Sequence, residues 1–116
     1  MAVIRPIPKK LLIHEVMLHK KVSEDCWGKE ARDIGRILNR VRLEPSSKIV
    51  RDKNGAEVQL AAVLYYDCRS SRPSGISFRE DDIIIFNGLE FEVKTIESLY
   101  DELKIHHYEM GLIKHA

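Results

Sequence analysis

Five histidines and two cysteines are the residues of this 116-residue chain best suited to metal or nucleophile chemistry. Their spacing speaks against both uses. His14 and His19 are five positions apart, which sends them to opposite faces of a strand. His106 and His107 are adjacent and diverge there in the same way, His106 toward a partly buried face and His107 toward solvent. Structural zinc wants closely spaced Cys or His pairs of the C-x-x-C kind. None is present, so no metal or other cofactor is expected. Cys26 and Cys68 lie 42 positions apart and make no disulfide framework. In a chain with no visible secretion signal they read as reduced, inert thiols. A nucleophile built on Cys68 and a histidine would need a motif that the residues around Cys68 lack. Glu80-Asp81-Asp82 offers adjacent carboxylates for acid–base work, but a solvated turn leading into an apolar strand explains the run more simply. The six glycines match neither G-x-G-x-x-G nor the Walker pattern. No matched acid, base and nucleophile emerge, and no enzyme is expected.

Arginine offers a different chemistry. Arg36, Arg40 and Arg42 alternate along a strand candidate, and Arg69, Arg72 and Arg79 punctuate a loop candidate. Guanidinium groups so grouped suit phosphates. The formal net charge is only +1, from 19 basic and 18 acidic residues. No bulk attraction to nucleic acid or membrane follows, and any phosphate contact must be local. A solvated strand face is the simpler account of the stripe. Aromatic side chains for base stacking are few: four Tyr, three Phe and one Trp.

The elements that carry these residues are strands. Asn54-Gly55 and Asn87-Gly88 supply the positive φ angles of tight hairpins. Ile83-Ile-Ile-Phe86 precedes the second turn, and Glu90-Phe-Glu-Val-Lys-Thr95 alternates polar and apolar after it, as a half-buried strand does. Residues 57–68 read as a strand with Leu60, Ala62, Leu64 and Tyr66 on one face and Ala61, Val63 and Tyr65 on the other. Both faces are apolar, so burial on both sides is expected, one of them at a subunit interface. In residues 34–43, Ile37, Val41 and Leu43 point one way and the arginines the other, with Leu38 among them. Leu12, Val16 and Leu18 share a face of residues 11–20. His106, Tyr108, Met110 and Leu112 share one of residues 104–114. Ser23-Glu-Asp-Cys-Trp-Gly28 is a turn-rich link in which Trp27 can anchor the loop, and a short helix is possible within 25–34. Pro45-Ser-Ser47 breaks the chain. Arg69-Ser-Ser-Arg-Pro-Ser-Gly75 is the best candidate for a long mobile loop, and residues 98–102 turn the chain back. Residues 1–10 form an extended arm, and 1–116 a single domain. About six strands with polar links and little helix predict a mainly β fold, a small antiparallel barrel or sandwich. No apolar run is long enough to cross a membrane.

Several segments carry a family resemblance. Pro8-Lys-Lys-Leu-Leu-Ile-His14 opens the chain, and Val41-Arg-Leu-Glu-Pro-Ser-Ser-Lys-Ile-Val-Arg-Asp-Lys-Asn54 occupies its middle. Phe86-Asn-Gly-Leu89 and Ser98-Leu-Tyr-Asp101 follow, and His106-His-Tyr-Glu-Met-Gly-Leu-Ile113 closes it. In order and spacing these resemble the minor capsid protein family of phages and prophages in Gram-positive bacteria. That family is similar, more distantly, to head-completion and head–tail connector (stopper) proteins. The resemblance covers nearly the whole chain and includes no catalytic signature. It implies a structural virion protein, assembled in the bacterial cytoplasm and forming a homo-oligomeric ring between portal and tail-completion proteins. Such a ring guides or retains DNA through non-specific contact, and the isolated chain can be a monomer.

Two placements follow as expectations. A ring needs a heterologous contact, one patch against a different patch. Val63 and Tyr65 are the candidate face, with Ile4, Pro6 and Pro8 as a strap across a neighbour. Arg69, Arg72 and Arg79 are candidates for a loop facing the channel or portal, and Arg36, Arg40 and Arg42 for a basic strand face. The alternative class is a nucleic-acid-binding barrel of the OB type, which requires a basic face lined with aromatics.

Overall fold

Alternating apolar residues place side chains on one surface of each strand, and here those strands bend into a sheet that closes on itself. The structure, a computed structural model, describes residues 7–24, 30–32, 34–101 and 103–115. A 3₁₀ turn at Lys9–Leu11 leads into β1 (His14–His19). The ribbon of β2 (Lys21–Glu24) and β3 (Glu30–Arg32) follows, then the long β4 (Arg36–Pro45). A second ribbon, β5 (Ile49–Arg51) and β6 (Glu57–Gln59), precedes β7 (Ala62–Asp67). The chain ends with β8 (Ile83–Phe86), β9 (Leu89–Tyr100) and β10 (Ile105–Lys114). The closed barrel has the order β1-β4-β7-β10-β9-β8, every neighbouring pair antiparallel, with β8 returning to β1. Closure removes the free edges where the barrel strands pair on both sides; beyond Val93, β9 pairs with β10 alone. The fold is thus the mainly β, six-stranded antiparallel barrel expected.

Val16, Leu18, Leu38, Val41, Leu64, Tyr66, Ile84, Val93, Met110 and Leu112 fill the barrel. The Asn87-Gly88 turn has both residues at positive φ, 50° and 76°, between paired Phe86 and Leu89. That is the geometry an Asn-Gly pair adopts at low cost. In the other turn Gly55 has φ 79°, and the Asp52 carboxylate accepts from the amides of Asn54 and Ala56.

Bulges correct the expected faces. Val16 pairs with Leu38, but His14 pairs with Val41, so β4 carries one residue more than β1 over this stretch. Arg40 takes it up at φ 56°. The extra residue inverts the alternation. Leu38 therefore points into the core at 0% exposure, and Ile37, expected inside with Val41, is 50% exposed. A second irregularity lies at His106: Ile105 pairs with Tyr100 and His107 with Leu99. Three boundaries also move. The strand expected over 57–68 divides into β6 and β7; β9 continues to Tyr100 instead of turning from Ser98; and β1 starts at His14. The chain turns back at 101–104, where the Asp101 carboxylate accepts from the Leu103 and Lys104 amides. In residues 25–34 the described part includes strand β3; the expectations for Trp27 and Cys26 lie outside the described residues.

The connection 68–82 joins two strands that are not neighbours, so it crosses one end of the barrel. It is pinned, contrary to the mobile loop expected from its Ser, Pro and Gly content. Asp67, fully buried, accepts from the amides of Ile7, Arg69 and Ser70 at 2.7, 2.9 and 2.8 Å. Asn39 and Arg72 exchange backbone hydrogen bonds of 2.8 and 3.0 Å. Ile76 enters the core, and Phe78 meets the rings of Tyr66 and Tyr108 edge-on. The Tyr66 hydroxyl donates to the Pro73 carbonyl, and burial pushes its pKa up to about 12. At the far end Asp82, 2% exposed, accepts from the Arg79 amide and pairs with Lys20 at 2.7 Å. Asp82 is thus buried, where a solvated acidic turn was expected.

The β5–β6 ribbon is fastened to the barrel. Leu60, at its foot, lies over Gly111, where a Cβ would come within 2.9 Å of the Leu60 side chain. Lys53 pairs with Asp81 at 2.7 Å, and that hydrogen bond holds the Asp81 carboxyl below its usual range.

Three outcomes test this description by chemical denaturation. Leu38→Ala should cost about 2–5 kcal/mol, whereas Ile37→Ala should stay within about 0.5 kcal/mol; the reverse order would restore uninterrupted alternation. Gly111→Ala should lose about 1–3 kcal/mol by overpacking against the Thr95 hydroxyl and Leu60. Asp67→Ala strands three amides and should lose more than about 2 kcal/mol. Amide exchange at Ile7 should accelerate in the same variant.

Candidate functional site

The pinned crossing loop and the start of β4 bring arginines to one end of the barrel. Arg36 pairs with Leu18 at the last turn of β1, so it stands at the rim of the core side. Arg40 sits on the bulge. Arg69, Arg72 and Arg79 ride on the crossing connection that caps the same end. All five are exposed. The Arg72 guanidinium donates to the carbonyls of Arg69 and Ser71 at 2.6 and 2.9 Å, which fixes it against its own loop. Arg42 goes elsewhere. It faces outward past the bulge, pairs with Glu44 at 2.6 Å and donates to the Leu11 carbonyl. The expected stripe of Arg36, Arg40 and Arg42 is therefore split, because the extra residue in β4 changes which side each one takes.

The outer face of β4, β7 and β10 carries Val63 and Tyr65, both half-buried. Tyr65 lies between Arg42 and Glu109 in register. A groove of about 320 Å³ remains there, lined by Ile7, Leu11, Leu12, Arg42, Glu44, Tyr65 and His107. Burial, then the charges of Glu109 and Glu44, raise the Tyr65 pKa. Residues 7–12 of the same chain thus border the face expected to meet a neighbour. Pro8 is exposed on that segment, while Ile4 and Pro6 lie outside the described residues.

Because of the irregularity at His106, the two adjacent histidines meet instead of diverging. Their Nδ1 atoms are 2.8 Å apart and their ring centroids 5.0 Å. The two values differ by about two ring radii, so the bond runs along the line joining the rings. His107 Nε2 lies 3.1 Å from Glu109 Oε2 and donates to it. In the neutral ring its Nδ1 must then accept, and His106 Nδ1 donates. Among the described residues no three of His, Cys, Asp or Glu gather as a metal site requires. Burial, then the nearby Asp67 charge, pushes the Cys68 thiol up, which lowers its thiolate fraction. His14 is a structural acceptor: its Nδ1 receives the Leu43 amide at 3.0 Å, and its ring meets Phe86 edge-on.

A second cleft, about 590 Å³, opens between residues 12–15, Asn39, Arg40 and Arg72. Both arginines and Glu15 are among the residues that line it. Reading the sequence missed the two residues that position all of this, Asp67 and Asp82. Asp67 is a single acid at the end of an apolar strand and Asp82 the last of the run Glu80-Asp81-Asp82 before one, and nothing in either pattern separates a buried acid from a solvated one.

No match was found among curated proteins or among solved structures. A family model described as minor capsid protein matches residues 8–112, from the 3₁₀ turn to Leu112 within β10. The chain belongs to the minor capsid protein family and is a structural component of a phage virion.

Proposed function

We infer that this protein is a head–tail connector or head-completion component that assembles as a ring at the portal vertex and guides or retains DNA. The observation that carries the reading is the arginine-bearing end of the barrel. Arg69, Arg72 and Arg79 are exposed on a connection that Asp67, Ile76 and the Lys20–Asp82 pair hold in place. Cations on a fixed platform suit passing phosphates, because phosphate contact needs charge and position but no base geometry. Firm anchoring also keeps the entropy cost of presenting them low. In this reading portal and tail-completion proteins lie above and below the ring, assembly takes place in the cytoplasm of a Gram-positive host, and the gene belongs to a phage or prophage.

The OB-type alternative needs aromatic rings open to bases. At the arginine end, Tyr66, Phe78 and Tyr108 instead pack on one another beneath the crossing connection. These three rings are spent in sealing the barrel, which leaves Tyr100 as the exposed ring near that end and makes a stacking face of several rings unavailable there.

Charge reversal at Arg69 and Arg72 should leave heads able to fill but unable to hold their DNA, read as nuclease-sensitive genome in purified particles. Normal retention in such particles would remove the loop from the channel. Filter binding of free oligonucleotide over a salt series should be weak for the isolated chain. Tight binding with a steep salt slope would favour the OB-type module.

A further inference from the structure

The bulge in β4 places two polar side chains next to each other on the outside of the barrel. Leu38 and Val41 both reach the core at 0% exposure, and the two residues between them, Asn39 and Arg40, are both exposed. A regular strand sends neighbours to opposite faces, whereas a bulge can aim them the same way. Arg40 holds φ 56° to do so, and backbone strain of this kind gathers at ligand sites. Arg72 joins the two, because its backbone is bridged to that of Asn39. All three line the cleft of about 590 Å³, together with Glu15 and residues 12–14.

Most of their hydrogen-bonding capacity is unused. Among the described residues, the Asn39 side-chain amide and the Arg40 guanidinium have no partner, and Arg72 donates through Nη1 alone. The backbone beneath each is nevertheless fixed. Asn39 and Arg72 hold one another, and the Ser71 hydroxyl donates to the Arg40 carbonyl. Glu15 is exposed and also has no ion-pair partner among the described residues, so neither arginine closes the cleft upon it.

One guanidinium fork satisfies a planar carboxylate. Two guanidinium groups and an amide around one space suit a phosphate, whose oxygens point in several directions. The Glu15 carboxylate in the same cleft repels such a guest and loosens the hold. A loose hold lets a strand slide past. We propose that Asn39, Arg40 and Arg72 seat one backbone phosphate of DNA, and that Glu15 weakens the seat so that the strand is guided and released. The inference rests on the DNA-guiding reading above and narrows it: Arg40 and Arg72 touch the phosphate, while Arg69 and Arg79 supply longer-range attraction.

Side-chain N–H signals of the full chain, followed by NMR at low salt, test the seat. Dimethyl phosphate and, separately, a short DNA duplex should shift the Asn39 amide and the Arg40 and Arg72 Nε–H signals more than those of Arg69 and Arg79. Acetate at equal ionic strength should shift them far less. For the duplex, Arg40→Gln should lower the slope of log K against log salt by about 1, and Glu15→Gln should tighten binding about threefold. Both side chains are exposed and unpaired, so equal unfolding midpoints should separate lost binding from lost folding. An equal response to acetate would make the cleft a seat for a partner's carboxylate and overturn the phosphate. A duplex that shifts Arg69 and Arg79 but not Arg40 would overturn the seat and leave the DNA reading standing. Shifts with dimethyl phosphate and none with the duplex would refute both. Binding by Glu15→Gln no tighter than by the original chain would strike Glu15 from the seat.

Discussion

A carboxylate taken out of water without a cation must be met by N–H groups, or its burial is too costly to survive folding. Asp67 is fully buried, and three amides from two separate segments meet it: Ile7 from the chain's start, and Arg69 and Ser70 from the crossing connection. Its own amide donates to Ser71 Oγ, and that hydroxyl donates to the Arg40 carbonyl on the bulge of β4. Asp67, through its side chain and its amide together, thus sets the exit of β7, the path of the connection, the seat of the bulge and the docking of the N-terminal segment. The arginine end owes its shape to this arrangement, as does the groove beside Tyr65. Both would have to be rebuilt if the acid were lost.

The bulge at Arg40 has a related logic. A left-handed conformation costs a non-glycine residue about 1–2 kcal/mol, so it persists only where its surroundings demand it. Here they do: Asn39 on one side is bridged to Arg72, and the carbonyl of Arg40 itself is capped by Ser71. The extra residue lets β4 keep Leu38 and Val41 both in the core while turning Arg36 to the rim and Arg42 to the outer face. A strand without it would present three arginines on one surface. With it, two join the crossing connection's arginines and one serves the groove with Glu44.

These contrasts explain what could be read from residue order. The Asn87-Gly88 hairpin, the core faces of Leu12, Val16 and Leu18 and of Ala62, Leu64 and Tyr66, and the mainly β barrel were legible, because local turn chemistry and period-two alternation encode them directly. Parity past a bulge was not legible: Ile37 and Leu38 are both apolar, and only pairing with Met17 and Val16 decides which one is buried. The crossing connection was misread for a similar reason. Its Ser, Pro and Gly residues suit mobility, but Ile76 and Phe78 reach a core that sits far away in sequence. As for the candidate surfaces, the residues of the arginine loop were visible as a group, while its rigidity depends on Asp67 and Lys20, whose partners lie 60 and 62 positions away.

The histidines show how geometry decides between chemistries that residue types leave open. Two imidazoles at a chelating site direct their lone pairs at a third point between them. His106 and His107 instead direct Nδ1 at Nδ1 along the line of their rings, which fits one shared proton and leaves no position for an ion without rotating a ring. Rotation would break the His107–Glu109 contact at 3.1 Å, which sits beside the unfavourable Glu97–Glu109 pairing. The pair is therefore part of how β9 and β10 tolerate two acids face to face. That tolerance is incomplete at Glu97, the one of the two that His107 does not reach, so the strand pairing itself leaves a negative charge on the outer surface of the barrel.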